Sequence, residues 1–138
     1  MTTFYLSPSS LSYRQYSKLM DAACSFGWSS AWVWPHSAFH SDALIDKQLI
    51  AKALTSFTKT DIFIAPVPGT PSTLIEIGAA YALCEDVLLF SKDPVYFTQC
   101  GINDAYMAAM PGIKRICCDL DEIPVRLQYE YLHLIKDL

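Results

Sequence analysis

The sequence predicts an α/β protein built on a parallel sheet, and three observations support that prediction. Short apolar segments alternate with longer segments whose apolar residues recur at helical spacing, along most of the 138 residues. The connections between successive strands are long enough for helical crossovers, which parallel strands require. Two segments, DIFIAP and DVLLF, are apolar at nearly every position, as strands buried on both faces are. This length and pattern indicate one domain over residues 1–138.

The first half of the chain predicts two strands and two helices. The segment TFYLSP begins with a short strand, and residues 11–26 carry the apolar stripe of a helix, which Gly27 ends as a C′ glycine. The segment SSAWVW is predicted to be the second strand. Asp42 is predicted to cap a second helix that reaches Leu54.

The second half predicts three further strands, namely DIFIAP, DVLLF and IKRICCD, with helices over residues 72–83 and 122–138. Residues 92–111 are predicted to form a loop with one short helix. Five strands in this length favour a flavodoxin-like doubly wound sheet of about five parallel strands with helices on both faces. Ligands bind such sheets at the carboxyl ends of the strands, so the loops SPSS and VPGTPST are expected to form the cleft walls.

Composition and charge limit the kind of partner. Charged residues make up 17% of the chain, below the roughly 25% that is average, which suggests a surface partly covered by further copies in a homodimer or higher homo-oligomer. A net charge of −4 without a basic cluster argues against a nucleic-acid polymer as partner. No apolar run approaches the ~18 residues of a membrane span, and the N-terminus lacks the basic region of a secretory signal. A cytoplasmic protein without a membrane partner is therefore expected.

The five cysteines form an odd set without a CxxC pair, which favours reduced structural thiols over disulfides. A zinc site would need closely spaced cysteine or histidine pairs, and the sequence has none. Neither a metal nor a cofactor is predicted.

Glu76 is the one carboxylate in the segment PGTPSTLIEIGAAYAL. Thr73 and Glu76 have the spacing of a capping box, in which the two side chains satisfy free N–H groups of the first helical turn. The same position, at a helix start that follows a glycine loop and a strand, also suits a nucleophilic carboxylate facing a ligand. The local pattern leaves both interpretations open.

The segment DIFIAPVPGTPSTLIEIGAAYA resembles the signature of the nucleoside 2-deoxyribosyltransferase superfamily, which includes 2′-deoxynucleoside 5′-phosphate N-hydrolases and nucleotide N-glycosidases. That signature has an Asp that opens a strand, a Pro/Gly loop, and a Glu followed by an apolar residue and Gly. The segment FYLSPSS is also similar to the first strand of the superfamily, where a Tyr precedes a turn of small residues. The residues that match the signature here are Asp61, Pro68, Gly69, Glu76, Ile77, Gly78 and Ala80.

The resemblance implies cleavage or transfer of the N-glycosidic bond of a small-molecule nucleoside or (deoxy)nucleotide. Glu76 would attack C1′ to form a covalent glycosyl-enzyme, and Tyr5 would orient the carboxylate. Ser9 would contact a 5′-phosphate, although Ser9 or Ser10 also suits a helix cap. Independently of the resemblance, the position of Trp34 at the end of the second strand suits either stacking on the base or a place in the core, and an aromatic residue of a partner subunit is the alternative for stacking. The substrate-binding residues expected are Ser7, Ser9, Ser10, Gly69, Thr70, Ser72, Thr73 and Trp34.

Two departures from the superfamily pattern leave alternatives open. Members that cleave the bond usually carry an Asp where this chain has Ala53, which removes the expected general acid, and Asp46 is a distant substitute. Thr70 replaces another Asp of the transferases and favours a phosphate-bearing ligand. The alternatives are a non-catalytic nucleotide-binding or sensing member of the superfamily, a flavodoxin-like redox or signalling domain, and an NAD-cleaving domain of the Toll/interleukin-receptor kind.

Overall fold

The computed structural model describes residues 1–39, 47–98 and 110–135. Within these ranges strands and helices alternate in the predicted order. The strands are β1 (Thr3–Leu6), β2 (Ser29–Ser30), β3 (Ile62–Pro66), β4 (Asp86–Ser91) and β5 (Lys114–Cys117). The helices are α1 (Tyr13–Ser25), α2 (Lys47–Thr55), α3 (Pro71–Leu83), α4 (Val95–Thr98) and α5 (Ile123–Glu130).

The five strands form one sheet in the order β2-β1-β3-β4-β5, and every neighbouring pair is parallel. This arrangement confirms the predicted flavodoxin-like fold. The strand order reverses between β1 and β3, where Leu6 pairs with Ile64. The chain segments that leave these two strands therefore lie side by side at the point where such folds bind ligands.

The core lies on both faces of the central strands. All five residues of β3 and the last five of β4 are buried, as the apolar sequences predicted. Helix α1 contacts α5, whereas α3 contacts β3, β4 and the turn of 3-10 helix after α2, so that two groups of helices cover the sheet. Each large apolar side chain buried in this way stabilises the fold by about 1.5–3 kcal/mol.

Two predicted elements differ in extent. The second strand ends at Ser30 instead of Trp34, because the Trp34 N–H donates to the Tyr16 hydroxyl (3.0 Å) instead of pairing with β1. Before it, the Ser30 hydroxyl donates to the Trp32 carbonyl oxygen (2.7 Å). Helix α1 begins at Tyr13, and its cap is Ser12, which exchanges hydrogen bonds with Gln15; Ser9 and Ser10 do not cap it.

Gly27 has a φ of 83° directly after α1, which confirms the predicted C′ glycine. At the other end of the chain, α5 is shorter than predicted and is followed by a 3-10 turn at Leu132–Leu134. The predicted roles of Asp42 and Asp46 lie outside the described residues. In the described ranges, no helix is both long and apolar enough to cross a membrane, and no cluster of His, Cys, Asp or Glu has the geometry of a metal site.

Candidate active site

Helix α3 carries Glu76 on its inward face. The helix is capped by Thr70 and has Pro71 at its first position, where the missing proline N–H costs nothing. Its buried residues, Thr73, Glu76, Ile77 and Ala80, recur at the spacing of one helical face. Glu76 therefore lies in the second turn of α3 and is directed toward the sheet.

The interpretation of Thr73 and Glu76 as a capping box is wrong. The capping exchange is between Thr70 and Thr73, and the Thr70 N–H donates to Thr73 Oγ1 (3.1 Å). Glu76 lies too far into α3 to reach a free N–H group of the first turn, and its two oxygens are held by side chains of the β1 segment instead.

The Glu76 carboxylate accepts one hydrogen bond at each oxygen. The Tyr5 hydroxyl donates to Oε2, and the Ser7 hydroxyl donates to Oε1 (2.9 Å). Tyr5 and Ser7 are two residues apart in the chain, so β1 and its extension direct both side chains to the same face of the sheet. Glu76 is only 9% exposed, and both donors are fully buried. The carboxylate is thus fixed in a site that water barely reaches.

Tyr5 is itself fixed by its neighbours. The Trp34 Nε1–H donates to the Tyr5 hydroxyl oxygen (2.8 Å). Because an indole N–H can only donate, the single Tyr5 proton is directed to Glu76. The Tyr5 ring stacks on Phe63 and meets the edge of Phe57, with ring centroids 5.6 and 4.6 Å away. Trp34 is placed in turn by its backbone N–H, which donates to the Tyr16 hydroxyl (3.0 Å).

Burial governs the ionisation of this cluster. It raises the pKa of the Glu76 carboxyl, and the hydrogen bonds from Tyr5 and Ser7 oppose part of that rise. Burial, followed by the nearby Glu76 charge, raises the pKa of Tyr5, and burial raises the pKa of Tyr16 to about 12. Both tyrosines therefore remain protonated near neutral pH, and Tyr5 stays a donor to Glu76.

A pocket of about 250 Å³ opens beside the Glu76 carboxylate. The pocket lies between the loop after β1, the segment after β2, and helices α2 and α3. Most of the side chains that line it are apolar. Its walls are Pro8, Trp34, Ala38, Ile50, Ala53, Leu54, Ser72, Ile75 and Glu76. Two of the predicted substrate-binding residues, Trp34 and Ser72, thus lie at the same pocket as the predicted nucleophile.

The other predicted substrate-binding residues serve the loops around the pocket. Ser9 Oγ donates to the Pro66 carbonyl oxygen (2.6 Å) and Ser10 Oγ to that of Pro68 (3.1 Å). These bonds tie the loop after β1 to the loop after β3, and they occupy the one proton of each hydroxyl. Ser7 is directed to Glu76, and Thr73 is fully buried beneath the β3–α3 loop.

Gly69 is required by a close approach within this loop. A Cβ at position 69 would lie 2.3 Å from Thr73 Oγ1 and 2.5 Å from Thr73 Cβ, distances that no side chain tolerates. Gly78, which belongs to the same sequence signature, has open space where a Cβ would project. Packing therefore requires a glycine at position 69, whereas the space at position 78 would accept a Cβ.

A larger cavity of about 660 Å³ lies at the carboxyl ends of β3, β4 and β5, and it does not include Glu76. Its lining combines Ser10 and the loop after β3 with Lys92 and three carboxylates, Asp119, Asp121 and Glu122. The lysine is 3.8 Å from Asp119. This excess of negative charge disfavours a phosphate there, so the smaller pocket is the better candidate for a reaction site.

Sequence reasoning missed the residues that support the cluster. Ser7 was expected to contact substrate, yet it holds the carboxylate; the alternation of Tyr5 and Ser7 along a strand is the signal that indicates this. Phe57, Phe63 and Tyr16 carried no such signal, because their contacts with Tyr5 and Trp34 join distant parts of the chain.

Comparisons with known proteins bear on the fold. No family model matches the chain, and no curated protein matches it. Among solved structures, the chain is similar to that of the Clostridium botulinum CMP N-glycosidase BcmB, with a TM-score of 0.65 and 18% sequence identity. The match covers 94% of this chain and 99% of BcmB. At this identity the likeness establishes a shared fold over nearly the whole of both chains.

Proposed function

We propose that this protein cleaves or transfers the N-glycosidic bond of a nucleoside or nucleotide, with Glu76 as the nucleophile. The observation that carries the proposal is the buried Glu76 carboxylate, which Tyr5 and Ser7 hold by hydrogen bonds at the wall of a pocket. The fold shared with a CMP N-glycosidase supports the same class of reaction.

In the proposed first step, a Glu76 oxygen forms a bond to C1′ of the sugar while the C1′–N bond breaks and its electron pair leaves with the base. Water or a second base then attacks C1′ and loses a proton, the electron pair of the C1′–O bond returns to the carboxylate, and a base that left as an anion takes up one proton from solvent. Tyr5 and Ser7 fix the direction of the carboxylate, which reduces the entropy lost on reaching the transition state. Trp34 and Ser72 contribute walls for the base and sugar.

A chromatographic assay for free base tests this proposal, with nucleoside 5′-monophosphates and deoxynucleosides as substrates. We expect Glu76→Gln to abolish base release, because an amide is not a nucleophile at C1′. The matched control is Glu85→Gln, which removes an exposed carboxylate next to the amino end of β4. Base release that survives in Glu76→Gln would contradict the proposal.

A second candidate function is nucleotide binding or sensing without turnover. It is favoured by the composition of the pocket, since the eight described residues that line it besides Glu76 are apolar or carry a hydroxyl or an indole. A binding protein would be stabilised against heat by one of the same ligands without releasing base, because ligand that binds only the folded state raises stability by mass action. Base release that depends on Glu76 would exclude this function.

A further inference from the structure

Among the residues that the structure describes, Glu76 is the one ionisable group that lines the pocket, and most of the other walls are apolar. Glu76 supplies a carboxylate, Ser72 a hydroxyl and Trp34 an indole, and the remaining walls are aliphatic. The methyl group of Ala53 faces the pocket from α2 and is almost fully buried. A volume of about 250 Å³ lies below the roughly 300–1,000 Å³ typical of ligand pockets. The pocket therefore suits the ring of one base and the sugar carbon C1′ bonded to it better than a whole nucleotide.

From these features we propose that the preferred substrates are N-glycosides whose base carries a fixed positive charge. This inference rests on the function proposed above and names its substrate class. A cationic ring beside a buried carboxylate recovers part of the solvation that the carboxylate loses. An aromatic wall such as Trp34 adds a favourable interaction with a cation.

The chemistry of the leaving group supports the same class. When Glu76 attacks C1′ of a cationic glycoside, the electron pair of the C1′–N bond neutralises the ring, which leaves as a neutral base without taking up a proton. A neutral base would instead leave as an anion unless an acid protonated it, and such an acid is typically worth about 10²–10⁴-fold in rate. In the hydrolysis of a cationic glycoside, the attacking water releases one proton to solvent.

The test compares 7-methylguanosine with guanosine, each as the nucleoside and as the 5′-monophosphate, and includes nicotinamide mononucleotide as a cationic glycoside with a smaller ring. We expect base release from the cationic members to be at least ~10²-fold faster than from guanosine after subtraction of the Glu76→Gln rate. Each turnover of nicotinamide mononucleotide, whose ring has no acidic N–H, should release one proton, which a pH indicator measures.

Ala53→Asp places a carboxylic acid in the pocket wall, and Ala51→Asp adds the same group to an exposed position of the same helix. We expect Ala53→Asp to reduce the ratio between the base-release rates of 7-methylguanosine and guanosine, and Ala51→Asp to leave that ratio unchanged. The comparison of substrates by the wild-type protein does not use Ala53→Asp, so it holds even if that variant does not fold.

Release of guanine as fast as that of 7-methylguanine, with both dependent on Glu76, would overturn this inference and leave the proposed function intact. A loss of guanine release on Asp42→Ala or Asp46→Ala, with 7-methylguanine release unchanged, would also overturn it, because an acid would then come from elsewhere in the chain. Absence of base release from every substrate would overturn both this inference and the proposed function.

Discussion

Trp34, Tyr5 and Glu76 form a chain of hydrogen bonds in which each donor has one fixed acceptor. The indole donates to the phenol, and the phenol donates to the carboxylate. A hydroxyl that accepts one bond is a stronger donor in the next, so Trp34 strengthens the bond that orients Glu76. Trp34 is therefore expected to act as a positioning residue as well as a wall of the pocket.

Replacing Trp34 by Phe removes the indole N–H and keeps an aromatic ring. A hydrogen bond of this kind is worth about 0.5–1.5 kcal/mol, so we expect kcat to fall by up to roughly tenfold. The acidic limb of the pH profile should move to higher pH, because a weaker Tyr5 donor stabilises the Glu76 anion less.

The matched control for this change is Trp28→Phe. Trp28 is also buried, but its Nε1–H donates to the Leu134 carbonyl oxygen (3.4 Å), far from Glu76. We expect that variant to lose stability and to keep the wild-type pH profile. Equal kcat values and profiles for the two variants would argue against a positioning role for Trp34.

Glu76 also makes stability depend on pH. Because burial raises its pKa, the folded protein binds the Glu76 proton more tightly than the unfolded chain does. The stability that comes from this protonation is fully present below the unfolded pKa and is lost as pH rises through the folded pKa. Thermal melts should therefore show Glu76→Gln to be more stable than wild type near neutral pH, with a difference that shrinks as pH falls. A difference that grows on acidification would contradict the burial argument.

At the scale of elements, the loop between β3 and α3 positions the second turn of α3, and its geometry depends on Gly69. We expect Gly69→Ala to destabilise the fold by about 1–3 kcal/mol, since its Cβ would overlap Thr73. Gly78→Ala is the matched change in the same helix, and it should stabilise by about 0.5–1 kcal/mol because alanine favours a helix. Denaturant unfolding measures both, and equal effects would show that the loop adapts to a larger residue.

The elements illustrate what the sequence can predict. Apolar periodicity identifies β3 and β4 because both are buried on both faces, and the order of elements then implies a doubly wound sheet. The predicted extent of β2 was wrong, since the Trp34 N–H bonds to the Tyr16 hydroxyl, a long-range contact that the local pattern does not show. The predicted start of α3, at residue 72, is one residue later than the observed start at Pro71, although a proline after Thr70 is itself a signal of a helix start.

The candidate site was partly predictable, but from the resemblance to a superfamily and not from apolar periodicity. Glu76 and Tyr5 lie in contact, as the resemblance implied, and Trp34 and Ser72 line the pocket. The hydroxyls of Ser9 and Ser10 bind carbonyl oxygens nearly sixty residues away in the chain, which no local pattern reveals. Long-range pairing of this kind is the part that a single sequence does not contain.

At the scale of the whole molecule, α3 presents an uncharged apolar surface. Its exposed residues include Leu74, Ile75, Tyr81 and Leu83, and its one charged residue, Glu76, faces inward. The surface of α5 differs, because Arg126 and Glu130 lie among its apolar residues. The homo-oligomer suggested by the low charge content remains a prediction, and α3 is the helix that we expect to lie at its interface.

Tyr81→Glu tests this prediction, with Tyr129→Glu on α5 as its matched control. Light scattering coupled to size-exclusion chromatography should give a multiple of the chain mass for the wild type and the control. Tyr81→Glu should shift the protein to the mass of one chain, because a charge is costly in an apolar interface. A monomeric wild type, or an unchanged mass for Tyr81→Glu, would contradict the prediction.

We expect Glu76 to become covalently bound to the sugar during turnover, and mass spectrometry of acid-quenched protein detects that bond. The protein is mixed with a substrate found in the base-release assay, quenched during turnover, and digested. We expect a mass increase of one glycosyl group on the peptide that contains Glu76, and none in Glu76→Gln. Base release with inversion at C1′ and no mass increase on that peptide would contradict it, because water would then attack the sugar directly.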